Sequence, residues 1–149
     1  MMAYVVWFLT PLTCLHCGAH TVEDETNLHT SDLRWDPESI NVRPGELLDT
    51  GLQEFSDAYL KLRHPVGTED VHALEQWSCG VCHRAQWARI VLRYVDPKHY
   101  RFVSAETVAL TPEVISAAHY ISSHLDWWVE THPGEESERV LPLLKHLLT

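Results

Sequence analysis

At 149 residues, with 45% hydrophobic and 21% charged residues, the chain has the make-up of a soluble globular protein, and one domain over 1–149 is expected. The formal net charge of −10 is uneven: Gly18–Gln76 carries thirteen acids against four bases, His83–Thr111 two against five, and Pro112 onward six against two. Such an acidic chain is a poor general binder of nucleic acid and a good match for a basic protein.

The apolar start, Met1–Leu12, has no basic n-region, and Pro11 and Cys14 follow at once. Tyr4–Leu9 is therefore read as a buried strand, not a targeting segment. No other run approaches transmembrane length, so no membrane association is expected. Cys14-Leu15-His16-Cys17 then makes a turn, which Gly18 can close with left-handed backbone. Thr21–Asp32 is polar and acidic, an exposed return strand or a loop. Asp36-Pro37 and Arg43-Pro44-Gly45 are turn signals. Leu47, Leu48, Leu52, Phe55, Tyr59 and Leu62 recur at three- and four-residue intervals. They predict a short amphipathic helix within 46–62, interrupted near Gly51. His64-Pro65-Val66-Gly67 breaks that pattern, and Asp70–Trp77 leads into Cys79-Gly80-Val81-Cys82.

A hairpin follows. Ala88, Ile90, Leu92 and Tyr94 alternate with Trp87, Arg89, Val91, Arg93 and Val95, which predicts a strand with two distinct faces. Asp96-Pro97-Lys98-His99 suits a tight turn, and Tyr100–Val108 is expected to return as the partner strand. Thr111 then caps a predicted long helix, with Pro112 at its first position, Glu113 in its first turn and an apolar stripe of Val114, Ala118, Ile121, Leu125 and Trp128. Pro133-Gly134 stops it. A last short helix begins with Glu135, Glu136 and Glu138 and ends with Lys145 and His146.

All four cysteines lie in the two Cys-x-x-Cys pairs. Two such turns supply four sulfurs, the ligand set of a tetrahedral structural zinc, so Cys14, Cys17, Cys79 and Cys82 are the candidate ligands of one Zn2+. The pairs are separated by 61 residues, more than in a compact zinc finger, and His83 follows the second pair where Gly18 follows the first. Over about residues 4–32 and 74–109 the arrangement resembles the zinc-ribbon group, in which two knuckles and their hairpins hold one zinc. The fold expected is α+β: a zinc-ribbon-like antiparallel β core with two knuckles, a long acidic insert over about 33–73, and a helical C-terminal part over about 111–149.

Three rival readings apply to the same cysteines. A redox pair belongs at a helix N-terminus near a βαβ unit, and neither pair opens a helix. Cys79-Gly80-Val81-Cys82-His83 matches a c-type haem attachment pattern, although Met1 and Met2 are the only methionines to offer an axial sulfur. A catalytic zinc needs an open position, whereas four cysteines fill the shell. The deaminase signature fails as well, since His72 and Glu75 are spaced wrongly and Ser78 replaces its proline.

Arg84, Trp87, Arg89, Arg93, Lys98 and Arg101 give the hairpin a positive, aromatic-bearing side, the basis of an alternative nucleic-acid-binding reading. His119, His124 and Asp126 are read as surface or half-buried side chains, because a spacing of five turns the two histidines apart on a helix. Leu141, Leu143, Leu144, Leu147 and Leu148 either cover the chain's own hairpin or dock a partner helix or a second copy. No nucleophile elbow, phosphate loop or metalloprotease helix is present in the sequence. The expected function is that of a cytoplasmic, zinc-stabilised protein-binding module or accessory subunit, not an enzyme. One specific form is an immunity- or antitoxin-like inhibitor of a basic partner.

Overall fold

The computed structural model describes residues 5–22, 28–31, 40–49, 59–63, 66–67, 69–96 and 99–122. The β-branched and aromatic run at the start forms β1 (Val5–Phe8), flanked by β2 (His29–Ser31) and β3 (Ile40–Val42) in a three-stranded sheet ordered β2-β1-β3. β2 runs antiparallel to β1, so the polar segment after the first cysteine pair does return as a strand, while β3 runs parallel to it. The larger sheet contains β4 (Leu47–Asp49), β5 (Tyr59–Lys61), β6 (Val71–Ser78), β7 (Ala85–Asp96), β8 (His99–Val108) and β9 (Tyr120–Ser122), ordered β4-β8-β7-β6-β9-β5. Among the described residues the one helix is α1 (Pro112–Ala117), and no helix is long and apolar enough to cross a membrane.

Strand alternation gives the large sheet two apolar faces. Val71, Ala73 and Trp77 of β6, Ala88, Ile90 and Leu92 of β7, and Phe102 of β8 share a core with Val6, Phe8, Leu28 and Val42 of the small-sheet layer. The Phe8 and Phe102 rings meet edge to face at 4.9 Å across the layers. Leu74, Trp87 and Ile121 point the other way and pack with Leu62, Leu110, Ile115 and Ala118. A register shift between Val91 and Leu92 leaves Val103 unpaired on β8, which puts Phe102 and Ala105 on the same face at odd spacing. The hairpin therefore has the strands and faces that its alternation predicts.

The expected α+β class is overturned: the described chain is mostly β, with a single six-residue helix. The helix start is as predicted. Thr111 accepts a hydrogen bond from Val114 N–H, and Pro112 occupies the first turn. The continuation is not. Ala118 turns extended, at φ −88° and ψ 152°, and Tyr120–Ser122 enters the sheet between β6 and β5. Ile115, Ala118 and Ile121 all reach the second core, so the three-residue apolar spacing is satisfied by a helical turn followed by a strand. Leu125, Trp128 and the last predicted helix lie outside the described residues.

The predicted helix within 46–62 is also overturned at both ends. Leu47–Asp49 pairs with β8 at one edge of the sheet, and Tyr59–Lys61 pairs with β9 at the opposite edge. Leu48 is fully buried there, and β8 and β9 supply the backbone partners that a helix would otherwise provide internally. Leu52, Phe55 and the Asp36-Pro37 turn lie outside the described residues. The Arg43-Pro44-Gly45 turn forms, closed by Glu46 N–H on Arg43 C=O, with Gly45 at φ 94°.

Candidate metal centre

Each cysteine pair sits on a turn that its neighbours pin at both ends. In the first, Cys14 N–H donates to Ala19 C=O at 2.8 Å and Gly18 N–H to Cys14 C=O at 3.1 Å. Outside these, Thr13 and His20 form a bridge, and Thr21 ties back to Leu12 through both its backbone and its hydroxyl. The second turn is the β6–β7 connection itself. Ser78 pairs with Ala85, Cys79 N–H donates to Arg84 C=O at 3.1 Å, and His83 N–H donates to Cys79 C=O at 2.9 Å. The two turns thus repeat the same hydrogen-bond pattern in two remote stretches of chain.

They face one another. Cys14 Sγ lies 3.6 Å from Cys82 Sγ, Cys17 Sγ lies 3.7 Å from Cys79 Sγ, and all four sulfurs are within 4.8 Å of one another. A tetrahedral ion with metal–sulfur bonds of about 2.3 Å holds its ligands about 3.8 Å apart. The sulfurs have the spacing of a four-coordinate shell around one metal ion. They are not disulfide-bonded, since bonded sulfurs lie about 2.05 Å apart.

The surroundings favour negative sulfur. Cys14 Sγ accepts N–H bonds from His16 at 3.3 Å and Cys17 at 3.4 Å, and Cys79 Sγ accepts one from Val81 at 3.4 Å. Burial would push Cys14 up, but the N–H groups of Cys17, Gln86 and His16 outweigh it and bring the thiol down to about 5. The N–H groups of Cys82 and Val81 likewise lower Cys79. Cys17 goes the other way. Although Ala19 N–H draws it down, desolvation and the neighbouring sulfurs push it up to about 11. Four sulfurs this close cannot all ionise unaided, and a cation at their centre removes the conflict.

Cys14 and Cys79 are buried, Cys82 is half-buried and Cys17 is exposed, so the centre lies at the end of the sheet with its inner side against the core. Arg84 crosses between the turns, its guanidinium 3.3 Å from His16 Nδ1. His83 is exposed on the rim.

The arginine side of the hairpin is less open than its sequence suggests. Trp87 is 1% exposed and belongs to the second core, so its ring is not presented to a base. Arg89 pairs with Glu106 on the facing strand. Arg93 makes a bidentate contact with Asp70 at 3.1 and 3.2 Å, and Arg101 donates to Gly45 C=O. Lys98 lies outside the described residues.

Two polar groups escape a reading by sequence. Gln86 is 4% exposed and bonds to the first knuckle. The available signal is its phase, since it precedes Ala88, Ile90 and Leu92 on the inward side of β7. His119 is fully buried, with Nε2 on Glu69 Oε1 at 3.0 Å and Nδ1 accepting from His72 N–H at 3.0 Å. That acceptance leaves the ring proton on Nε2, donated to Glu69. The reading of His119 as a surface or half-buried helix residue is corrected accordingly, while His124 and Asp126 lie outside the described residues.

Comparison with protein-family models, curated proteins and solved structures found no match. The four-cysteine cluster is compatible with a zinc-binding group, and the geometry carries that statement without support from a relative.

Proposed function

We propose that the protein is a zinc-stapled binding protein of a reducing compartment, the cytoplasm, which acts by holding a macromolecular partner and not by catalysis. The observation that carries this reading is the four-sulfur shell: its spacing suits one tetrahedral ion, and four protein ligands leave no position for water or substrate. Zinc is favoured among tetrahedral thiolate metals because the centre reads as structural, tying the first knuckle to the β6–β7 turn. A haem reading is disfavoured by the same geometry, since the sulfurs of Cys79 and Cys82 abut those of Cys17 and Cys14 and leave no room for a porphyrin between the turns.

The partner proposed is a basic protein, matched to the net charge of −10, as in an immunity- or antitoxin-like pairing. Nucleic acid is a weaker candidate because Arg89 and Arg93 already face carboxylates and Trp87 is in the core. The test has two arms. Elemental analysis with a thiol titration is expected to give one zinc and no free thiol in the native protein; iron, haem or a disulfide would refute the zinc centre. Affinity capture at low salt is expected to retain one basic protein that salt releases. Retention of nucleic acid instead, lost on changing Arg89 and Arg93, would reverse the choice of partner.

A further inference from the structure

Gln86 leaves the second knuckle and enters β7 on the face that looks toward the first. Its Oε1 accepts from Leu15 N–H at 3.0 Å and its Nε2 donates to Cys14 Sγ at 3.2 Å. The two contacts fix the amide's orientation, because the Leu15 N–H requires an oxygen, which leaves the amide NH2 facing the Cys14 sulfur. Cys14 therefore receives three N–H groups, from His16, Cys17 and Gln86, and the third crosses from the other half of the centre.

We infer that Gln86 is a positioning residue of the metal centre, its side-chain amide orienting the Cys14 sulfur and docking the first knuckle against the strand that issues from the second. This rests on the metal-centre reading above and deepens it. Trp77 is the cross-strand partner of Gln86, and both are buried, so the amide has a large apolar neighbour on its own face of the sheet. Along the chain the first knuckle is separated from the second by 61 residues; across space Arg84 meets His16 on the exposed side, and Gln86 supplies the buried hydrogen-bonded strut that preorganises the pair. Outer hydrogen bonds to metal ligands are worth about 10- to 100-fold in affinity where they have been removed.

The test uses the full chain loaded with Zn2+ or Co2+. Gln86→Leu removes both hydrogen bonds. Gln86→Glu keeps the shape and the acceptor for Leu15 but turns an oxygen toward Cys14. Chelator competition is expected to show Zn2+ binding weakened at least tenfold in Gln86→Leu and further in Gln86→Glu. The sulfur-to-cobalt charge-transfer band is expected to move to longer wavelength in both, because a sulfur with one donor fewer gives up an electron to the metal more easily. A purely structural role would weaken binding without moving the band. Affinities within twofold of the parent, or an unmoved band, overturn the inference while leaving the metal centre intact. If Gln86→Leu fails to fold at saturating metal, Gln86→Glu decides by the same two readouts. A parent protein that binds neither ion overturns the metal centre itself, and the inference with it.

Discussion

Gly18 and His83 stand at the same step of the two knuckles and share the left-handed backbone, at φ 76° and 61°. Each follows the second cysteine of its pair, and each donates its N–H to the carbonyl of the first. The turn imposes the conformation, and only one of the two positions carries the residue that adopts it without strain. An added Cβ at Gly18 would meet nothing within 4 Å, so any penalty there is torsional and not a collision. Left-handed backbone costs a residue with a side chain about 1–2 kcal/mol. Gly18→Ala is expected to destabilise the protein by about 1 kcal/mol, and His83→Val by about 1–2 kcal/mol, since β-branching is least tolerated there. His83→Gly is expected to be neutral or stabilising by under about 1 kcal/mol, as relief of strain is offset by a freer unfolded chain. Urea denaturation at saturating zinc measures all three, and a destabilised His83→Gly would contradict the shared geometry.

Metal removal is expected to act on the whole centre and not on one turn. Binding at structural thiolate sites contributes on the order of 10 kcal/mol to folding at neutral pH, comparable with the entire stability of a domain. Cys17→Ser and Cys79→Ser, one from each knuckle, are therefore expected to lose the ion and to melt alike. Chelation of the parent protein should reproduce that melt. Circular dichroism with and without chelator checks this, and an unchanged melting temperature after complete zinc removal would show that the core holds without the staple.

Acid is expected to destabilise the protein in two windows. Desolvation, followed by the charge of Arg89, holds His72 below the ordinary histidine value of 6.5. As pH falls through about 6.5 the unfolded chain takes up that proton first, so stability declines until the folded value is reached. Glu69 is held below its ordinary 4.5, first by Val66 N–H and then by His119. Its contribution is complete above that value and is lost as pH falls through the lowered one. His72 Nδ1 is also a buried atom with no hydrogen-bond partner. His72→Val is expected to abolish the upper window and to raise stability at pH 7 by about 1 kcal/mol. Thiolate protonation acts on both proteins equally, so the difference between parent and variant from pH 7.5 to 5 is the quantity to measure. A flat difference would refute the assignment.

Two positions on the same face of β7, one in the core and one at the solvent edge, are expected to respond very differently to truncation. Trp87→Ala should cost about 3–5 kcal/mol by opening the core above α1. Arg93→Ala should cost no more than about 1 kcal/mol, since its pair with Asp70 is solvent-screened. Nucleic-acid binding at low salt is expected to be weak, and unchanged in Arg89→Ala/Arg93→Ala. A strong, arginine-dependent signal would favour the nucleic-acid reading.

The cysteine centre was legible at the level of ligands. Spacing inside each pair is a local property, and it identified Cys14, Cys17, Cys79 and Cys82 together with the turns that aim them. Gln86 was not, because a single polar residue in an apolar strand phase does not reveal what it touches 72 positions away. The helix expected within 46–62, and the continuation of the one that starts after Thr111, failed for a related reason. Their apolar spacings were real, yet Leu48, Ala118 and Ile121 are buried on strands or on the turn leading into one. A three-residue strand has no periodicity of its own to read.

By itself the sequence determined what nearest neighbours decide: the two cysteine turns, the alternating faces of β7, the turn at Arg43–Gly45, and the Thr111 cap with Pro112 behind it. Tertiary structure decided where β4, β5 and β9 pair, which polar groups are buried, and that four sulfurs meet within 4.8 Å. The division is physical. Turns, caps and alternation are set by torsions and contacts within a few residues, whereas edge strands, a buried Gln86 and the Glu69–His119 pair exist only because segments far apart in the chain share one sheet and one core.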